Sequence, residues 1–597
     1  MKKIPFYEID VTEGFWHKKQ ELIRKTTINA IYERFSETGR IATMSCKDVG
    51  IQPHIFWGSD VFKWIESVAI LLEKEDMPEL RQKAEAIFDA MEEGVSEDGY
   101  YNSYFNLTKE PRFSDRDRHE LYSLGHMIEA AIAWNHATGD DRFLKFAMRN
   151  TDLVDRIFRV EHSAAFDTPG YEEIELALIK LYRYTSEPRY LELAKYFILT
   201  RGNSEKDRQE FGRYLSSWDY GYGQSHKPVK EQREAIGHAV RCLYLFCGVA
   251  DLYEETGDRE LLTAAEAIFD NIVSKKMYIT GSMGVSNNKE SPSEDYDLPN
   301  YQAYTETCAA FAFAIFCARM SNLTADGKYG NAAERALYNG MLSGLSLDGE
   351  AFFYVNPLEI DRSKRNAQRL YLPKYERQRV FRCSCCPPNL SRMIPSIADL
   401  IYGVSEDRLF IHQYIGNRTT LDNEVVEIET DYSVSGKVTV KAGKRKLALR
   451  KPDWCKKFTA SLPYREEKGY LFFESGDVTV DFEMEPRFMK ANAGVRENLG
   501  KVALLRGPIV YCLEEQDQLP GTSVFSYRVD PKAPVIVEKE SFGDFPRLTA
   551  AGVLEKSCDS LYADYSEETT PCALRYIPYY TFANRGEDDM TVWVRTV

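Results

Sequence analysis

The sequence predicts a mainly α protein, an (α/α)6 toroid of paired helices, followed by antiparallel β-sandwich structure. Three observations predict it. An apolar-periodic helix, a short polar turn and a second helix recur through the first two-thirds of the chain. After about residue 405 the apolar period changes to two. The 597 residues also exceed what one ordinary core supports, whereas a ring of helix pairs adds core with each pair.

The turns mark the helix pairs. LEKEDMPELRQKA, HATGDDRFLKFA, YTSEPRYLELA, EETGDRELLTAA and LTADGKYGNAA each place Gly, Pro or Asp where one helix stops and the next is capped. Apolar residues recur three or four apart on both sides, as in EIELALIKLYRY and LLTAAEAIFDNIV. Helices near 17–35 and 389–403 complete the ring, giving a toroid over residues 1–405. In such a fold the loops gather at one end and build the site. The strands KVTVKA, VTVDFEME and KVALLRGPIVYCLE give a β-sandwich over 406–520. RYIPYYTFAN and MTVWVRTV read as strands of a β-rich segment, 521–597, that packs on the sandwich.

Composition excludes several classes. A net charge of -16 argues against a nucleic-acid surface, which is basic. The N-terminus, MKKIPFYEIDVTEGFW, has no apolar stretch of signal-peptide length, and no apolar run of spanning length follows elsewhere. The expected location is cytoplasmic, with no membrane partner. The 12 cysteines are then reduced. Cys242, Cys247, Cys317 and Cys512 sit singly in apolar runs and read as small core residues. Aromatic content of 13% suits a carbohydrate cleft as well as an ordinary core.

Two segments depart from core patterning. DYDLPNYQAYTETCAAFAFA brings Glu306 and Cys308 two apart, and RCSCCPPNLS brings Cys385 and Cys386 together before two prolines. Soft thiolates select zinc, which takes four ligands from Cys, His and carboxylate. The ribbon spacing C-x2-C is absent, so buried free cysteines or a structural zinc remain equal alternatives on spacing alone. Three thiolates and a carboxylate leave a zinc shell doubly negative, which makes a thiolate electron-rich and keeps it ionised at neutral pH. Attack on a sugar carbon also needs a proton donor. Glu290, Glu294, Asp295 and Asp297 lie just upstream, and spacing does not choose among them. HELYSLGH is not a zincin motif: His119 and His126 are seven apart, about 10.5 Å along a helix.

FWGSDVFKWIE, HELYSLGHMIEAA, EIELALIKLYR, HKPVKEQREAIGHAVR, YTETCA, ERALYNGML, FFYVNPLE and CCPPN together resemble glycoside hydrolase family 127, which includes β-L-arabinofuranosidases. The resemblance implies a zinc shell of Glu306, Cys308, Cys385 and Cys386. It implies Cys385 as nucleophile and Glu290 as general acid/base. His119, His238, Glu334 and Tyr354 would contact substrate, as would Tyr171, which stands where family members often carry His. The implied activity is retaining, exo-acting release of β-L-arabinofuranose or a related pentose from plant-derived oligosaccharides. The expected partner is that oligosaccharide, and a homodimer is compatible with the sequence. Two other classes compete: a zinc-dependent thiol-addition cyclase on an α-toroid, and a non-catalytic sugar-binding protein with structural zinc.

Overall fold

The structure is a computed structural model that describes all residues except 13, 209–219, 286–288, 368–373, 557–559, 563 and 565–567. It divides into two compact units. One comprises Lys19–Ser274 with Arg379–Ile397, and the other Met1–Lys18, Lys275–Gln378 and Ala398–Val597.

The first unit is helical. Four of the predicted hairpins form in it: Trp57–Leu72 with Pro78–Gly94, Glu120–Thr138 with Arg142–Asp155, Ile174–Thr185 with Pro188–Thr200, and Ala239–Thr256 with Arg259–Asn271. Within each hairpin the two helices differ. Trp57–Leu72 is buried from Gly58 through Leu71, whereas Pro78–Gly94 buries only a stripe of Leu80, Ala84, Ile87, Phe88 and Met91. The first helix is therefore an inner element and the second an amphipathic cover. The inner helices pack side by side, with Cys386–Met393 against Trp57–Leu72, then Glu120–Thr138, Ile174–Thr185 and Ala239–Thr256. The hairpin turns use the predicted chemistry. Gly139 and Gly257 end their helices at φ of 74° and 70°, a left-handed conformation that glycine adopts without a Cβ penalty. Pro78 and Pro188 open the following helices, where a missing N–H costs nothing.

The helix predicted near 17–35 runs as Phe15–Leu22 and Ile28–Glu37, joined by a wide turn at Ile23–Thr27. The helix predicted over 389–403 is shorter. It spans Cys386–Met393, a 3-10 turn follows at Ile397–Leu400, and Tyr402–Val404 is already a strand. Pro395 has no N–H to extend the helical ladder.

The second unit carries the fifth hairpin, Thr307–Thr324 with Gly327–Arg335, and all the sheets. Thr307–Thr324 is long and apolar enough to cross a membrane by length and composition, but most of it is buried, as in a core helix. Between residues 402 and 482 lie a six-stranded sheet, which the N-terminal strand Ile9–Val11 joins, and a five-stranded sheet. Their pairs are antiparallel apart from Arg408–Ile411 with Lys446–Arg450. The period-two pattern decides which side chains are buried: Val438 and Val440 face the core opposite Val480 and Val478. A third sheet of ten strands is built mainly from residue 486 onward and takes in Glu359–Ile360. Its Thr569–Pro578 strand pairs with Ile509–Glu514.

Candidate active site

In the helical unit, three of the predicted substrate residues converge as rings. Tyr171 lies 4.8 Å from His119 and 5.3 Å from His238, measured between ring centroids. Tyr122 closes the group at 4.4 Å from Tyr171. The sequence places these rings at element ends, where they can converge. His238 caps the helix Ala239–Thr256, and His119 precedes Glu120–Thr138 with a left-handed φ of 59°. For a residue other than glycine this conformation costs about 1–3 kcal/mol and is typical of functional positions.

The two histidines present opposite hydrogen-bonding faces. His119 Nδ1 lies 2.6 Å from the Asp117 carbonyl, which can only accept, so Nδ1 carries the proton and Nε2 is an acceptor. His238 Nδ1 accepts from the Val240 N–H at 3.1 Å, so its Nε2–H is a donor. Burial, with Arg241 nearby, holds the His119 pKa well below the ordinary histidine range, so its ring stays neutral. An acceptor beside a donor suits sugar hydroxyls, which both give and take hydrogen bonds.

Arg241 was not anticipated from the sequence. Its guanidinium lies 4.6 Å from the Tyr171 centroid and 4.6 Å from that of Tyr222. It donates to Asp117 Oδ1 at 3.1 Å and to the Gly170 carbonyl. The available signal was a charge inside the apolar run AVRCLYLF, three residues after His238.

The thiol pair belongs to the same unit. Cys385 caps the helix Cys386–Met393 and Cys386 begins it, with Pro387 and Pro388 in the first turn. Both cysteines are buried and their sulfurs are 3.8 Å apart. The preceding backbone is fastened by buried charges. Asp60 accepts from the Ser384 N–H at 3.2 Å and from Arg40 Nε at 3.2 Å. Arg40 Nη2 also donates to the carbonyls of Phe381 at 2.6 Å and Arg382 at 2.9 Å. Burial pushes the Asp60 carboxyl up to about 6.

In the sheet-bearing unit, Glu306 caps the helix Thr307–Thr324 and Cys308 lies in its first turn. Both are buried. Their backbone is stitched to the FFYVN segment. The Thr307 N–H donates to the Tyr354 carbonyl at 3.0 Å, Thr307 Oγ1 to the Phe353 carbonyl at 2.8 Å, and Asn356 Nδ2 to the Thr305 carbonyl at 3.0 Å. Tyr354 is half-buried, with its ring edge-on to Tyr304 at 6.2 Å. Glu290 occupies a tight turn with φ of 67°, and its loop pairs with the approach to Glu306 through Val285 and Ala303. The carboxylates of Glu290 and Glu306 approach within 4.8 Å.

Glu334 is engaged in a network of its own. Its Oε1 accepts from Arg450 Nη2 at 2.5 Å and Tyr432 OH at 2.9 Å, and its Oε2 from Trp454 Nε1 at 2.9 Å. Gly330, one turn earlier on the same helix, lets Arg450 approach, since a Cβ there would sit 2.6 Å from Arg450 Cδ. Both Glu334 oxygens thus accept hydrogen bonds from the strand-forming part of the chain.

Glu306 and Cys308 are buried in the sheet-bearing unit, and Cys385 and Cys386 are buried in the helical unit. The donor set fits zinc: three soft thiols and one carboxylate make up four ligands of the types zinc takes.

The catalytic-domain profile of glycoside hydrolase family 127, described as β-L-arabinofuranosidase, matches residues 8–399, and the family's C-terminal-domain profile matches residues 486–595. A non-reducing-end β-L-arabinofuranosidase of Bifidobacterium longum subsp. longum is 33% identical over 91% of this chain and 89% of its own length. Among solved structures, a family 127 β-L-arabinofuranosidase from Geobacillus stearothermophilus superposes with a TM-score of 0.92 and 37% identity, covering 99% of this chain and 100% of the other. A second family 127 β-arabinofuranosidase superposes with a TM-score of 0.89 and 33% identity, covering 100% of this chain and 98% of the other. The chain belongs to glycoside hydrolase family 127 and is a glycoside hydrolase, with a helical catalytic domain and a β-rich C-terminal domain.

Proposed function

We propose that this enzyme is a retaining, exo-acting glycosidase that releases β-L-arabinofuranose or a related pentose from plant-derived oligosaccharides. The observation that carries the reading is the buried Cys385–Cys386 thiol pair, with sulfurs 3.8 Å apart, in the helical unit, alongside the buried Glu306 and Cys308 of the sheet-bearing unit. The named activities of the similar proteins support the sugar, and the non-reducing-end specificity of the Bifidobacterium enzyme supports exo action. A cytoplasmic site of action, on short imported oligosaccharides, belongs to the same reading. So does an (α/α)6 ring as scaffold.

Glu306, Cys308, Cys385 and Cys386 would hold zinc. When bound, zinc would supply a positive charge that keeps the thiols ionised at neutral pH. The Cys385 thiolate attacks the anomeric carbon, and a C–S bond forms as the bond to the leaving oxygen breaks. Glu290 gives its proton to that oxygen. In the second half, Glu290 takes a proton from water, the water oxygen attacks the same carbon, and the thiolate leaves. Two displacements retain the anomeric configuration. His119, as acceptor, and His238, as donor, hold sugar hydroxyls, with the rings of Tyr171 and Tyr354 bounding the sugar. Glu334 acts through Arg450, Tyr432 and Trp454 and supports the helix Gly327–Arg335.

The test is a panel of aryl glycosides led by aryl β-L-arabinofuranoside, with wild type and Cys385→Ser side by side and zinc measured on each. Release by wild type alone supports the reading. Equal release by both variants removes Cys385 from the chemistry.

A further inference from the structure

Arg392 lies six residues after Cys386, on the same short helix, and is buried. Its guanidinium reaches in four directions. Nη1 donates to Glu66 Oε2 at 2.8 Å and to Glu129 Oε2 at 2.8 Å, Nη2 to Tyr244 OH at 3.1 Å, and Nε to Asn389 Oδ1 at 2.9 Å. Glu66, Glu129 and Tyr244 belong to three different inner helices, Trp57–Leu72, Glu120–Thr138 and Ala239–Thr256. One side chain thus ties the cysteine-bearing helix to three others. Ser391 adds a hydrogen bond to Ser67 at 2.8 Å. At the other end, Asp60 and Arg40 fasten residues 381–384. The two thiols sit between these anchor points.

A metal ion held by the neighbouring His126, Glu129 and Glu173 is the competing explanation of so much buried charge. The cations already present disfavour it. Arg392 and Lys180, the latter 3.2 Å from Glu129, neutralise that carboxylate and would repel a dication.

Such a buried ion pair adds little net stability, because desolvating the charges offsets their attraction. What it supplies is geometry. A planar fork with fixed donor directions resists rotation and sliding of the helix that carries it. We propose that Arg392 is a positioning residue for the Cys385–Cys386 thiol pair, setting the angle and depth at which Cys385 meets the anomeric carbon. The inference rests on the reading of Cys385 as nucleophile. Lysine keeps the charge and loses the fork, so Arg392→Lys separates the two contributions.

The experiment uses the full-length, zinc-loaded enzyme as wild type, Arg392→Lys and Glu66→Gln. It measures kcat and KM on aryl β-L-arabinofuranoside, zinc content, thermal midpoint, and the ratio of Cys385 to Cys386 alkylation by iodoacetamide from peptide mapping. The expected result for Arg392→Lys is a kcat lower by about 10–100-fold, with KM unchanged within about twofold. Zinc content is retained and the alkylation ratio shifts. A lowered midpoint with kcat and alkylation ratio at wild-type values would overturn the proposal and leave Arg392 a fold-holding residue. If wild type cleaves no arabinoside, the alkylation ratio still decides. A shifted ratio keeps the positioning role while the arabinosidase reading fails, and an unchanged ratio overturns the role. If Arg392→Lys does not fold, Glu66→Gln, which leaves the guanidinium in place with one weakened partner, is judged by the same readouts.

Discussion

Cys385 and Cys386 hold their sulfur atoms 3.8 Å apart at the start of the helix Cys386–Met393. Pro387 and Pro388 occupy the turn where backbone N–H groups have no helical partner, so the stiff chain costs no hydrogen bond there. The helix N-terminus favours negative charge, which suits thiolates. The two cysteines have separable roles in the proposed chemistry. Cys385→Ser is expected to lower kcat by about 10³-fold or more while the fold is kept. Cys386→Ser is expected to lower zinc content and thermal midpoint along with activity. Steady-state rates and metal analysis on both variants check this.

Glu290 lies within 4.8 Å of Glu306, on a loop paired to the same stretch of backbone. As proton donor it matters most when the leaving group is basic. Glu290→Gln is expected to lower kcat by about 10²–10⁴-fold on an alkyl or sugar aglycone, and by clearly less on a nitrophenyl one. Equal losses on both aglycones would remove Glu290 from the proton-transfer role.

Tyr171 packs against His119 and His238, and the Arg241 guanidinium lies over its ring at 4.6 Å. Replacing it with the smaller imidazole opens space beside both histidines. Tyr171→His is expected to change the ratio of kcat/KM between two pentofuranosides by about 10-fold or more. A panel of aryl pentosides measures that ratio, and an unchanged ratio would place Tyr171 outside the specificity contacts.

Glu120 gives a pH dependence with a defined sign. It is buried and accepts from Tyr100 OH and from the Phe113 N–H, and burial raises its carboxyl from 4.5 to about 7. The folded state therefore holds a proton that the unfolded chain has released between those two values. The associated stabilisation is fully present below the unfolded pKa and is lost as pH rises through about 7. Its size is at most about 3–4 kcal/mol. Denaturation midpoints across this range are expected to fall with pH more steeply in wild type than in Glu120→Gln.

Much of this was legible in the sequence because it is local. The hairpin turns carry Gly139, Gly257, Pro78 and Pro188 at the positions that helix ends require. The alternation of Val438, Val440, Val478 and Val480 marks strands before any pairing is known. The Glu-x-Cys and Cys-Cys segments stand out because they depart from core patterning, although their spacing alone fits buried free cysteines or a structural zinc equally well. What was not legible depends on distant partners. Nothing near Glu334 in sequence indicates that Arg450, Tyr432 and Trp454, about a hundred residues on, take up both its oxygens. The strand Glu359–Ile360 is two residues long and is defined only by its partner at Met590–Thr591. Nothing beside Arg392 in sequence indicates that side chains of three other helices surround it.

The central claim is that Cys385 forms the covalent bond to the sugar. The most direct measurement is peptide mapping by mass spectrometry of zinc-loaded Glu290→Gln quenched during turnover of nitrophenyl β-L-arabinofuranoside, where slowed release lets the adduct accumulate. The account predicts one pentosyl residue on the peptide containing Cys385, absent in the Cys385→Ser double variant. A pentosyl adduct on Glu306 or another carboxylate, or continued turnover with Cys385 unmodified throughout, would contradict it.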